Sequence, residues 1–101
     1  MENQDIMKLL NNINNDTNLV IVDDNFTTFK VKELLKKDNE EIVLVSNVDN
    51  SGDDILIQDL LKYIDDNKSN IFSAKLNNLE NLTVENIYYS NELNSVVFSV
   101  I

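Results

Sequence analysis

The chain has 101 residues, with 18 Asp and Glu against 8 Lys, a formal net charge of −10, and no Arg, His, Cys, Trp or Pro. These absences exclude disulfides, thiolate and imidazole metal ligands, and any nucleophile–base pair built on His or Cys. A chain this short forms one core and one domain, expected over 1–101, and its apolar residues fall in periodic blocks that a disordered chain would lack.

The first block sets Ile6, Leu9, Leu10 and Ile13 on one stripe at helical spacing, which predicts an amphipathic helix ended by Asn14, Asn15 and Asp16. Leu19-Val20-Ile21-Val22 reads as a buried strand, closed by the turn residues Asp23, Asp24 and Asn25, with a return strand from Phe26 to Phe29. A short helix is expected from about Lys30 to Lys37, because Val31, Leu34 and Leu35 share a helical face. Ile42-Val43-Leu44-Val45 is a second strand. Asp53 and Asp54 stand where carboxylates favour a helix start, and Ile57, Leu60, Leu61 and Ile64 form the narrow stripe of that helix.

Three further strands are expected at Ile71 to Leu76, Leu82 to Tyr89 and Ser95 to Ile101, the last two joined as a C-terminal β-hairpin across Ser90 to Asn94. The final strand is apolar on both faces, which places it inside a sheet. The expected fold is therefore a single small α+β domain: a mixed or antiparallel sheet with about three helices. Phe26, Phe29, Phe72 and Phe98 read as core. Tyr88 and Tyr89 are neighbours in a strand, so they face opposite ways.

No apolar run approaches the roughly 20 residues of a spanning helix. The polar, acidic start carries no signal-peptide pattern, so neither anchor nor membrane partner is expected. The abundance of Asn, Ile, Lys and Asp resembles the bias of an AT-rich genome, such as that of a low-GC bacterium or its phage, which makes bacterial cytoplasm the expected setting.

Chemistry is sparse. One glycine cannot build a phosphate-binding loop, and a chain this acidic repels nucleic acid, so neither nucleotide cofactor nor direct nucleic-acid binding is expected. Adjacent carboxylates such as Asp23 with Asp24 or Glu40 with Glu41 nominally suit glycoside hydrolysis, but a domain this small offers little room for a sugar cleft. No catalytic residue, cofactor or enzymatic activity is assigned. Asn47 to Asp53 places oxygen ligands at alternate positions with Gly52 sixth, as in a calcium loop, yet Asn47 stands where Asp is usual and Gln58 where a bidentate Glu is required. A polar turn is the favoured reading, and a weak calcium-binding module the remoter one.

Charge is layered unevenly. The segment Lys30 to Lys37 is locally +3, so the remainder carries −13. Asp49, Asp53, Asp54, Asp59, Asp65 and Asp66 cluster around the helix of Ile57 to Ile64, and with Tyr63 as an aromatic anchor they form the candidate partner-binding set. In small size, acidity and poverty of catalytic residues the chain resembles phage inhibitors such as anti-CRISPR proteins, and also immunity proteins of toxin nucleases. That resemblance carries no residue motif. It implies an inhibitor that covers the basic nucleic-acid-binding surface of a nuclease or defence complex, its carboxylates standing in for phosphates. The alternative is a self-associating structural protein, a homodimer or larger, in which the lysine-rich segment meets a neighbour's acidic surface.

Overall fold

Short aliphatic and β-branched runs decide the architecture. The computed structural model describes residues 3–38, 41–46, 52–64, 71–76 and 82–101. Within them the order is α1 (Asn3–Asn11), β1 (Asn18–Val22), β2 (Thr28–Lys30), β3 (Glu33–Lys37), β4 (Glu41–Ser46), α2 (Ile57–Leu61), β5 (Ile71–Leu76), β6 (Leu82–Ser90) and β7 (Ser95–Val100). All seven strands belong to one sheet of order β2-β1-β7-β6-β5-β4-β3, curled into a half-barrel. It is mixed: β1 runs parallel to β7 and β4 to β5, whereas the remaining neighbours are antiparallel.

The two-residue joint between β2 and β3 ties the ends of the curl. Val31 N donates to Leu19 O of β1 at 3.1 Å, and Lys32 N donates to Val45 O of β4 at 2.8 Å. A strap ahead of α2 reinforces this seam, since Ile55 N donates to Val31 O at 3.0 Å and Leu19 N donates to Ile55 O at 3.2 Å. Backbone groups that a flat sheet would leave open at its edges thus find partners.

This architecture overturns the expected α+β domain with about three helices and a terminal hairpin: the protein is mainly β, with two small helices among the described residues. The largest correction is at Lys30 to Lys37, which forms strand and not helix. An isolated helix of about two turns is marginal, whereas β4 offers a continuous register from Glu33↔Val45 to Lys37↔Glu41. The bend at Val31 and Lys32 resets the side-chain alternation, so Val31 and Leu34 both join the core although three positions separate them. Spacing alone resembled a helix for that reason.

The second correction is α2, which spans only Ile57–Leu61 and leaves Asp53 and Asp54 in the preceding strap. The third concerns the C-terminus. β6 and β7 pair antiparallel, but β7 also lies parallel against β1, so the pair sits inside the sheet and is not an appended hairpin.

The concave face carries the main core. Leu19 and Ile21 of β1, Ile42 and Leu44 of β4, and Val96, Phe98 and Val100 of β7 meet there under Ile6 and Leu10 of α1 and Ile57 and Leu60 of α2. The rings of Phe72 and Phe98 lie 6.0 Å apart, tilted by 37°, within the range favourable for aromatic pairs. Val20, Val22 and Val97 form a smaller cluster on the opposite face, so β1 and β7 are buried on both sides. Among the described residues, no helix is long and apolar enough to cross a membrane.

Candidate functional site

Of the predicted partner-binding set, the structure describes Asp53, Asp54, Asp59 and Tyr63. Asp49, Asp65 and Asp66 lie outside the described residues, as does most of the calcium-like turn, of which Gly52 and Asp53 are described. Gly52 has φ +91°, a conformation that glycine adopts without a Cβ penalty. Asp53 is exposed. Among the described residues no three carboxylates converge as metal ligands would.

Asp54 and Asp59 are engaged within the fold. Lys32 is almost fully buried, its side chain 6% exposed, and its ammonium bonds the Asp54 carboxylate and the Gly52 carbonyl, the latter at 3.2 Å. Lys30 approaches the same carboxylate at 3.9 Å. The hydrogen bond from Lys32 holds the Asp54 carboxyl below its ordinary pKa, against the opposing effect of partial burial and with help from the charges of Lys32 and Lys30. Asp59 Oδ2 accepts from Leu56 N at 3.0 Å, satisfying a donor at the start of α2. Tyr63 packs half-buried against the core, and its backbone carbonyl accepts from Lys36 Nζ at 3.2 Å.

A different surface stands out at the end of the sheet where β1 meets β2. Asp23 Oδ1 accepts from Asn25 N at 3.0 Å and from Thr27 N at 2.9 Å. The backbone closes the same loop twice, with Phe26 N donating to Asp23 O at 3.0 Å and Asp23 N donating to Thr27 O at 3.1 Å. This four-bond turn holds Phe26 at φ +62° with the residue 87% exposed. Its expected place in the core is therefore corrected: the strand alternation that would have buried it begins only at Thr28.

Two costs coincide at Phe26. A non-glycine residue in the left-handed region carries roughly 1–3 kcal/mol of strain, and an exposed ring forgoes the burial that makes Phe useful in a core. The sequence signal was present but easily misread: a Phe enclosed by Asp23, Asp24 and Asn25 before it and two threonines after it sits in a turn composition, not in an alternating strand.

Further anionic and apolar groups share that end of the sheet. Val22, the last residue of β1, pairs with Ser99 of β7, and Ser99 Oγ donates to Glu85 Oε1 at 3.5 Å. Glu85 is bulged out of β6 between Val84 and Asn86. Beside it, β5 and β6 part beyond Ser73↔Thr83, leaving a groove of about 240 Å³ lined by Ile71, Phe72, Val84, Glu85 and Ile87 among others. Ile101 is also exposed and donates its N–H to Thr83 O at 3.2 Å. Among the described residues Glu85 is the one charged side chain on the groove, so they supply no paired acid and base there.

No protein-family model matches the chain, and neither the curated proteins nor the solved structures contain a match.

Proposed function

We propose that this protein is an inhibitory binding protein that covers a basic, nucleic-acid-binding surface of a nuclease or defence complex, its carboxylates taking the place of phosphates. The observation that carries this reading is how the fold spends its cations. Among the described residues the ion pairs are those of Lys30 and Lys32 with Asp54, while Asp24, Asp53 and Glu85 remain exposed in a chain of net charge −10. Such a surface repels its own copies and steers toward a cationic partner, with fast and salt-sensitive association.

The same observation weighs against the self-associating alternative. Its basic patch would be Lys30 to Lys37, and there Lys32 is buried against Asp54 while Lys36 reaches the Tyr63 carbonyl. Within that segment the exposed lysines, Lys30, Lys36 and Lys37, lie on β2 and β3, the outer strands of the sheet order, where cationic side chains discourage strand-to-strand aggregation.

Affinity capture tests the reading, with this protein as bait in a nuclease-treated bacterial lysate and a salt gradient for elution. Recovery of a basic nucleic-acid enzyme released by about 0.5 M salt, where exposed charges are screened, and inhibited by the added protein, is the expected result. Recovery of the protein alone, or of a partner indifferent to salt, would remove phosphate mimicry from consideration.

A further inference from the structure

We infer that the Asp23–Thr27 turn is a nucleotide mimic, with the Phe26 ring presented as a base and the Asp23 and Asp24 carboxylates as its flanking phosphates. The partner it fits is the cationic, aromatic-lined groove of a protein that binds single-stranded nucleic acid. This deepens the reading of a basic partner and rests on it.

The geometry of the turn supplies the argument. Phe26 does not pack against the core, is 87% exposed, and is held in a backbone conformation that Gly or Asn would occupy more easily. The two Asp23 side-chain bonds and two backbone bonds fix the loop before any partner arrives, so little ordering entropy remains to be lost on binding. Both side-chain bonds use Oδ1, which leaves the second Asp23 oxygen for a partner's cation, and Asp24 is exposed next to it.

The choice of partner follows from combining a flat ring with adjacent anions. Grooves for single strands join a cationic track along the backbone to aromatic side chains on which bases stack. A duplex keeps its bases stacked inside, so a protruding ring would have no counterpart to imitate on a duplex-binding surface. A second copy of this chain is a poor occupant: its own apolar groove carries Glu85 at the same acidic end.

Competition measures this directly. The probe is fluorescent oligothymidylate bound to a purified single-strand-binding protein with an aromatic-lined cationic groove, run beside a labelled duplex on a duplex-binding protein. The native chain should displace the oligothymidylate, and Phe26→Gly should weaken displacement by about tenfold or more, the scale of losing one base stack. Gly suits the positive φ, so this variant should stay folded by circular dichroism. Phe26→Trp should retain displacement, and Asp23→Asn with Asp24→Asn, which keeps the turn's acceptor, should weaken it and flatten its salt dependence.

Equal displacement by Phe26→Gly would overturn the base mimic and leave charge mimicry standing, as would displacement of the duplex alone. Displacement of neither would overturn both. A sedimenting dimer abolished by Phe26→Gly would assign the turn to self-association and likewise overturn the inference.

Discussion

Lys32 and Asp54 form the most buried ion pair among the described residues, and they do so across the seam where the sheet's two ends meet. The two partners are unequal. Lys32 is almost wholly enclosed, whereas Asp54 keeps part of its carboxylate in water. Asp54→Asn leaves the enclosed ammonium without its counter-charge and should cost about 2 kcal/mol. Lys32→Met leaves Asp54 free to hydrate and should cost less than half as much. Urea unfolding of both variants checks the asymmetry; equal losses would mean that the pair acts only through its mutual attraction.

The same pair gives stability a pH dependence. Because the folded Asp54 carboxyl titrates below its unfolded value, its contribution is complete above about pH 4 and is lost as pH falls through the folded value. Acid titrations of the native chain and Asp54→Asn should converge toward low pH. Parallel curves across that window would show that other carboxylates carry the acid sensitivity.

Asp59 is expected to matter for folding. Its bond to Leu56 N starts a helix only five residues long, so Asp59→Ala should lower stability by about 1 kcal/mol, or roughly 4–8 °C in melting temperature, with Asp59→Asn milder. An unchanged melting temperature for Asp59→Ala would mean that α2 is held by Ile57 and Leu60 alone.

Phe98 is fully buried at the centre of the sheet against Phe72. Phe98→Ala should cost about 3–5 kcal/mol, a large part of a small domain's total stability. Removing Val97 to Ile101 should abolish cooperative unfolding, because β7 supplies a neighbour to both β1 and β6. A sharp thermal transition in the truncated chain would contradict that placement.

Phe26 should be a place where the protein is less stable than it could be. Asn tolerates the left-handed conformation without adding the backbone freedom of Gly, so Phe26→Asn should raise stability by about 1 kcal/mol. A fall in melting temperature would indicate that the ring packs on something after all.

Several elements were legible along the chain because β1 and β4 hold short aliphatic runs between polar residues, and because α1 has a clean stripe. The outward Tyr88 and inward Tyr89 also followed from strand alternation. What escaped was whatever depends on distant partners. Leu34 and Leu35 suit a helix or a bent strand equally, and only the open side of β4 decides between them. Nothing local announces that β1 will lie beside β7. Nor does a carboxylate in an acidic chain reveal whether it faces water, as Asp53 does, or holds a lysine and a helix start, as Asp54 and Asp59 do.

The parallel pairing of β1 with β7 also bears on how the protein is made. As the chain leaves the ribosome, Leu19 to Val22 emerges well before Ser95 to Val100, its parallel neighbour in the sheet. Until those residues emerge, β1 therefore waits with one side unpaired, a condition that invites nascent chains to join edge to edge. Net charge of one sign keeps such chains apart. The acidity that would suit a cationic target thus also protects the protein during the interval before its sheet can be completed.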